Sequence, residues 1–261
     1  MCTKPDPHFK TFNDQYFSFH GECDLVLINS RGFSSRLGVR VHARTKRVDN
    51  SNPSYSFISS VAVQVGSDVL EVLKNGNLFI NGNLNVDEMS PFGGYFLKRS
   101  YSGPKKRIVA YSLDLHGGKL ITIHANVIAG MVFVDIDGHF EDSEGLLGPS
   151  SGKGDSLLSR DGLVDLSGHW NTYAEDWQVR ETEPKLFKDK DRFPQHPVGC
   201  AYGSVEKQAL RHRRLMDGEV TMKDATEVCA DATDEMREFC IFDVIAIGDK
   251  NLAKDPFYTR S

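Results

Sequence analysis

Carboxylates crowd one short stretch of this chain: Asp135, Asp137, Glu141, Asp142 and Glu144 all fall within residues 135–144. Calcium takes carboxylate oxygens, but the spacing departs from an EF-hand loop, whose glycine stands sixth where Gly138 stands fourth. Paired carboxylates also cleave glycosidic bonds, at a separation set in space and not in sequence. A solvated acidic turn is the plainer reading. Six of the nine histidines, His8, His20, His42, His116, His124 and His139, lie in the same half of the chain. His8 and His20 could meet across a hairpin and share zinc or copper, yet no His-x-His pair is present, and hydrogen-bonded structural histidines explain the set more simply. These carboxylates or histidines define an enzymatic alternative, a glycan-acting hydrolase or a metal-dependent enzyme.

Residues 148–156, GPSSGKGDS, imitate a phosphate-binding loop. That loop needs four residues between its glycines and a hydroxyl after its lysine; here three separate Gly148 from Gly152, and Gly154 takes the hydroxyl position. The same stretch holds no Gly-x-Ser-x-Gly elbow for a nucleophilic serine. A net charge of -5 opposes a dominant contact with nucleic acid, although short basic runs occur at 105–107 and 211–214. The longest apolar stretches, such as 127–134, are broken by glycine and are too short to cross a bilayer.

The elements that must position these residues read as mainly β. Between Phe9 and Asp137 apolar residues alternate and turn signals recur every eight to twelve residues, the mark of an antiparallel sandwich or barrel. Val61, Val63 and Val65 lead to a turn at 66–68, and the pairs Asn75-Gly76 and Asn81-Gly82 predict type I′ hairpins. Three further strands follow over 107–115, 119–127 and 130–137. A glycine- and serine-rich loop begins after Gly145, and Trp170, Tyr173 and Trp177 are placed to pack back on the sheets. Residues 183–200, charged and carrying three prolines, read as a linker. Beyond Cys200 the spacing turns helical over 204–218 and in two short helices after Thr221, where Asp224 resembles the partner of a capping box.

Five cysteines leave one unpaired within a single chain. Bridging Cys229 to Cys240 would join two short helices, and bridging Cys23 to Cys200 would tether the helical part to the sheets, worth about 4 to 5 kcal/mol in the loop-entropy model. Free buried cysteines are the alternative. Residues 1–5 carry no apolar signal region, which fits either a chain that is not secreted or a piece of a longer secreted precursor.

Residues 6–27, DPHFKTFNDQYFSFHGECDLVL, resemble the opening motif of von Willebrand factor type D domains: Gly-Asp-Pro-His, a Thr-Phe-Asp-Gly turn, aromatic strands, then Gly-x-Cys before an apolar strand. The loop after Glu144 (GLLGPSSGKGDSLLSRDGLVD) and the later AEDWQV are similar to that family's Gly-Leu-Cys-Gly-Asn loop and closing Trp-x-Val, so the resemblance spans about residues 4–180. Residues 229–249 resemble a reduced form of the eight-cysteine module that often follows. Leu147 stands where the family has its loop cysteine, which speaks against disulfide polymerisation, with Cys2 as the spare thiol.

The resemblance implies a structural calcium ion between turn and loop. Its ligand positions fall on Asn13, Pro149, Ser151 and Asp155; proline has no ligand side chain and Asn13 is neutral, so weak calcium binding or none is expected, with Asp155 and Asp161 as the best donors. It also implies a possible self-cleavage at Asp6-Pro7, with His8 assisting proton transfer, although Pro5 in place of glycine restricts Asp6. The expectation is therefore a D-type β-sandwich over 1–182 with a linker and small helical module over 183–261. Its implied role is that of a non-catalytic, disulfide-bonded extracellular building block for adhesion, matrix assembly or recognition. Its partners would be other extracellular macromolecules or copies of itself, with no cofactor beyond possible calcium.

Overall fold

The computed structural model describes residues 7–49, 52–102, 107–127, 130–149, 157–188, 200, 220–233, 237, 240–241, 244–245 and 250–254. Three antiparallel sheets run through them. A small one pairs β1 (His8–Lys10) with β2 (Tyr16–Ser18). A seven-stranded sheet holds β3 (Asp24–Ser30), β4 (Val39–Asp49), β5 (Asn52–Val65), β6 (Asp68–Leu73), β7 (Leu78–Ile80) and β8 (Asn83–Asn85) in sequence order, with β14 (Ser143–Glu144) added beside β3. A five-stranded meander holds β9 (Met89–Phe92), β10 (Tyr95–Ser102), β11 (Ile108–Asp114), β12 (Leu120–Asn126) and β13 (Met131–Asp137). The chain passes from one sheet to the other between β8 and β9, and β13 lies against β5. Short helices are α1 (Phe33–Arg36), α2 (Trp170–Asp176) and α3 (Met222–Val228), with a 3₁₀ turn at Lys250–Lys254.

Alternation builds the sandwich. Val39, Val41 and Ala43 of β4, Val61, Val63 and Val65 of β5, Ile121, Ile123 and Ala125 of β12, and Val132, Val134 and Ile136 of β13 all turn inward and share one buried cluster. Each of these valines and isoleucines stabilises the fold by about 1.5 to 3 kcal/mol relative to exposure. β3 departs from alternation, since every residue from Asp24 to Ser30 is buried. A bulge between Val26 and Ile28 shifts its register, and the chain after α2 closes over its outer side: the Val26 N–H donates to the Trp177 carbonyl and the Val179 N–H to the Asp24 carbonyl.

The two Asn-Gly turns differ. Asn81 and Gly82 both take positive φ, as a type I′ hairpin requires. At Asn75-Gly76 only Gly76 does. There the Gly76 N–H bonds to the Leu73 carbonyl and the Leu73 N–H to the Asn77 carbonyl, a three-residue loop ending in a left-handed glycine instead of the expected I′ turn. The Tyr111 hydroxyl, donating to the Gly76 carbonyl at 2.7 Å, holds that wider loop against the facing sheet.

In the helical part the Thr221 hydroxyl accepts from the Asp224 N–H while the Asp224 carboxylate accepts from the Thr221 N–H, a reciprocal cap at the start of α3. Val220, Ala225, Cys229, Ala232, Cys240, Val244 and Ala253 form a small core of their own. Disulfides join Cys229 to Cys240 and Cys23 to Cys200. The helix expected over 204–218 lies outside the described residues. Residues 183–188, expected as the start of a linker, instead pack: Leu186 and Phe187 are buried against Ala62 of β5.

Candidate functional site

The opening hairpin and the glycine loop meet. Thr11 is fully buried and organises the turn after β1: its N–H bonds to the Gln15 carbonyl, its carbonyl accepts from the Asp14 N–H, and its hydroxyl donates to Asn13 Oδ1. Asp14, at φ 60°, takes the left-handed position that the related motif fills with glycine. The Phe12 N–H donates to the Leu147 carbonyl at 2.8 Å and so fastens this turn to the loop after β14. Gly145 of that loop allows no side chain, because at φ 146° a Cβ would stand 2.3 Å from the Leu27 carbonyl oxygen. Aromatic rings brace the junction: Phe17 stacks on Phe9 at 5.3 Å and on Trp170 at 5.2 Å, and the buried Tyr173 hydroxyl donates to the Gly145 carbonyl.

Of the calcium positions that the resemblance implies, the described residues take in Asn13, Pro149 and Asp161. Asn13 Oδ1 accepts from Thr11, and Pro149 brings no donor side chain. Asp161 closes its own exposed turn, accepting from the Ser159 hydroxyl and the Leu163 N–H, and these bonds hold its carboxyl below the ordinary carboxylate range. Ser151 and Asp155 lie outside the described residues. Among the described residues no three His, Cys, Asp or Glu side chains converge as metal ligands.

Asp6 of the self-cleavage pair also lies outside the described residues. Its neighbours are structural: the Pro7 carbonyl accepts from the Phe19 N–H, and the buried His8 places Nδ1 2.6 Å from the Ser18 hydroxyl. The acidic stretch is divided between two sheets. Asp135, on β13, sits 3.3 Å from His124 Nε2, whose ring stacks on Phe133. Glu144, on β14, accepts from Asn29 and Arg31 at the far edge of the seven-stranded sheet. His20 follows β2, outside the register in which His8 faces Ser18.

The densest buried polar chemistry lies on a face that strand alternation assigns to solvent. Arg40, His42 and Arg44 of β4 point away from the core, yet His42 is 1% exposed. Residues 178–188 lie over this face, reaching Arg44, Ala62 and Glu71. Arg44 makes a two-pronged ion pair with Asp24 of β3 at 2.9 and 3.0 Å and lies over the Phe187 ring. Glu71 of β6 accepts the Lys188 N–H, and Arg160 ties the strap down through the Gln178 carbonyl and Glu183. Burial, with the nearby charges of Arg40, Arg160 and Lys185, pushes the His42 imidazole down to about 3. Beside this strap a polar row crosses four strands, Glu144 to Asn29 to Arg40 to Gln64, each bonded to the next. The faint signal for the strap was Trp177 and Val179, apolar residues placed just before the charged stretch.

Gly21 completes the anchor. A Cβ there would stand 2.8 Å from Cys200 Cβ and 2.4 Å from the Phe19 ring, so the Gly-x-Cys spelling before β3 is room for the Cys23–Cys200 bridge.

A sandwich opened by a hairpin, closed back through a glycine loop and pinned at its Gly-x-Cys strand is the frame of one class: the chain belongs to the von Willebrand factor type D domain family, whose match covers residues 2–162. Domains of this class are generally non-enzymatic structural modules of extracellular proteins. Among curated relatives the chain is similar to Zonadhesin of Oryctolagus cuniculus, 28% identical over 109 residues. That match takes in 42% of this chain and 4% of Zonadhesin, so the chain spans a small fraction of that relative's length. Among the described residues no helix is long and apolar enough to cross a membrane.

Proposed function

We propose that the chain is a non-catalytic extracellular structural and interaction module, serving adhesion, matrix assembly or recognition of other macromolecules. The family match over residues 2–162 carries this reading. The two disulfides support it, because such bridges persist in oxidising compartments. The sandwich acts as a rigid platform, with its interior spent on packing and its surface available for partners. The residues after the strap, with the small core closed by Cys229–Cys240, form a reduced helical module attached to that platform. Calcium, if held at all through Asn13, Asp155 and Asp161, is held weakly.

The experiment is a solid-phase binding screen of the intact chain against purified matrix glycoproteins, glycans and cell surfaces, with glycoside turnover assayed in parallel. Saturable binding that survives chelation of calcium is the expected result. Turnover of a glycoside with no binding to any surface overturns the reading.

A further inference from the structure

His42 sits where the contacts of the strap converge. In register it faces Val26 of β3 and Ala62 of β5, and Arg44 stands two residues on along β4. The Val26 N–H bonds to the Trp177 carbonyl, Ala62 packs against Leu186 and Phe187, and Arg44 lies over the Phe187 ring. The imidazole is thereby shut off from water, and among the described residues its buried Nδ1 has no hydrogen-bond partner. A neutral ring tolerates that. A protonated ring does not, because a buried cation needs acceptors or a counter-charge.

The charges around the ring oppose a proton further. Those acting on it are Arg40 of β4, Arg160 of the loop before α2 and Lys185 of the strap, all positive. The acids on this face are engaged elsewhere: Asp24 with Arg44, Glu183 with Arg160, and Glu71, opposite Ala62, with the Lys188 N–H. The strap is also tethered as a moving part would be. It leaves the sheet at Val179, whose N–H bonds to the Asp24 carbonyl, and the chain is tied again at Cys200, bridged to Cys23. Both anchors are neighbouring residues at the start of β3, so the strap can lift without leaving the domain. Its grip beyond Val179 rests on Leu186, Phe187 and the hydrogen bonds of Lys188 to Glu71 and the Gly82 carbonyl. A segment held by few buried contacts opens on its own.

We propose that the strap is an acid-released cover: a proton taken up by His42 lifts residues 180–188 from the outer face of β4, β5 and β6, while Val179 and Cys200 stay fixed. Release bares Arg44, Glu71, Ala62 and Phe187, a mixed apolar and charged surface that is shut at neutral pH. The device belongs to the fold and stands whether or not the chain binds a partner. Under the strap His42 stays neutral down to about 3, and once released it titrates near 6.5. The open state binds more protons between those values, so its population rises as pH falls through that window, about thirtyfold between pH 7.5 and pH 5.

Hydrogen exchange of the intact chain, read by mass spectrometry and corrected for the intrinsic pH dependence of amide exchange, tests this. The amides of Leu186, Phe187 and Lys188 should exchange well ahead of those of β12 at both pH values. Their corrected rate should be about thirtyfold higher at pH 5, and His42→Gln should abolish that rise. Exchange at the imidazole C2 position gives a second reading with His42 left in place. Phe187→Ala, which weakens the strap's grip, should move the titration of His42 upward by at least about one pH unit, because opening and protonation are linked. No rise in the parent chain, a rise that survives His42→Gln, strap and β12 exchanging together, or a His42 titration indifferent to Phe187→Ala overturns the proposal.

Discussion

Two outward faces of this sandwich invert the usual pattern in opposite senses. On β4 and its neighbours the outward residues Asp24, His42, Arg44 and Glu71 are polar yet buried, on the face that residues 178–188 pack against. On β9 and β10 they include Met89, Pro91 and Phe96, apolar yet exposed, beside Lys98. The first face has found its cover within the chain. The charges that would make burial costly are paired, Arg44 with Asp24, or neutralised, as in His42. The second face has no cover within the described chain, and its apolar side chains remain in water. Strand alternation says which residues share a face; it does not say what lies on that face.

The contrast can be broken in order of expected size. The Cys23–Cys200 bridge closes a loop of 177 residues. Cys23→Ser should therefore cost about 5 kcal/mol in the loop-entropy model, read as a fall in the denaturation midpoint relative to the parent chain. Asp24→Ala leaves Arg44 buried without its partner and should cost about 3 to 5 kcal/mol. An unchanged midpoint would mean that the strap is no cover at all.

His42 gives a smaller effect with a defined sign. Its folded imidazole resists protonation down to about 3, whereas in the unfolded chain it titrates near 6.5. The unfolded state thus binds more protons between those values, and stability falls as pH drops through that window. About 2 kcal/mol should be lost between pH 7.5 and pH 5, and His42→Gln should remove that part of the slope. The exposed face yields the smallest change: Phe96→Asp should leave stability within about 0.5 kcal/mol of the parent, because no packing is lost.

Much of the architecture was legible in the residues. The alternation of 108–137 fixed three strands because one face of each is buried and the other is not, and Asn81-Gly82 gave its turn type because few other pairs accept two positive φ angles. Asn75-Gly76 misled because the same dipeptide also suits a three-residue loop, and the choice fell to Tyr111 on the other sheet. The strap over β4 was hidden for a similar reason. Residues 183–188 look like linker by composition, and only the apolar pair Leu186-Phe187 reaches Ala62.

The candidate site was half legible. The resemblance drew together the turn at Asn13 and the loop at Leu147, which the Phe12 N–H does join. What it could not convey was that Asn13 Oδ1 and Asp161 Oδ1 accept hydrogen bonds within their own turns. The acidic stretch 135–144 looked like one cluster only because the chain is short there; its two ends belong to different sheets.

Hydrogen exchange read by mass spectrometry tests most directly the claim that the polar outer face around β4 is closed by the chain itself. Slow exchange is expected for the bonded amides of 178–188, Val179 and Lys188 among them. Exchange across 178–188 as fast as in an unstructured peptide would contradict it.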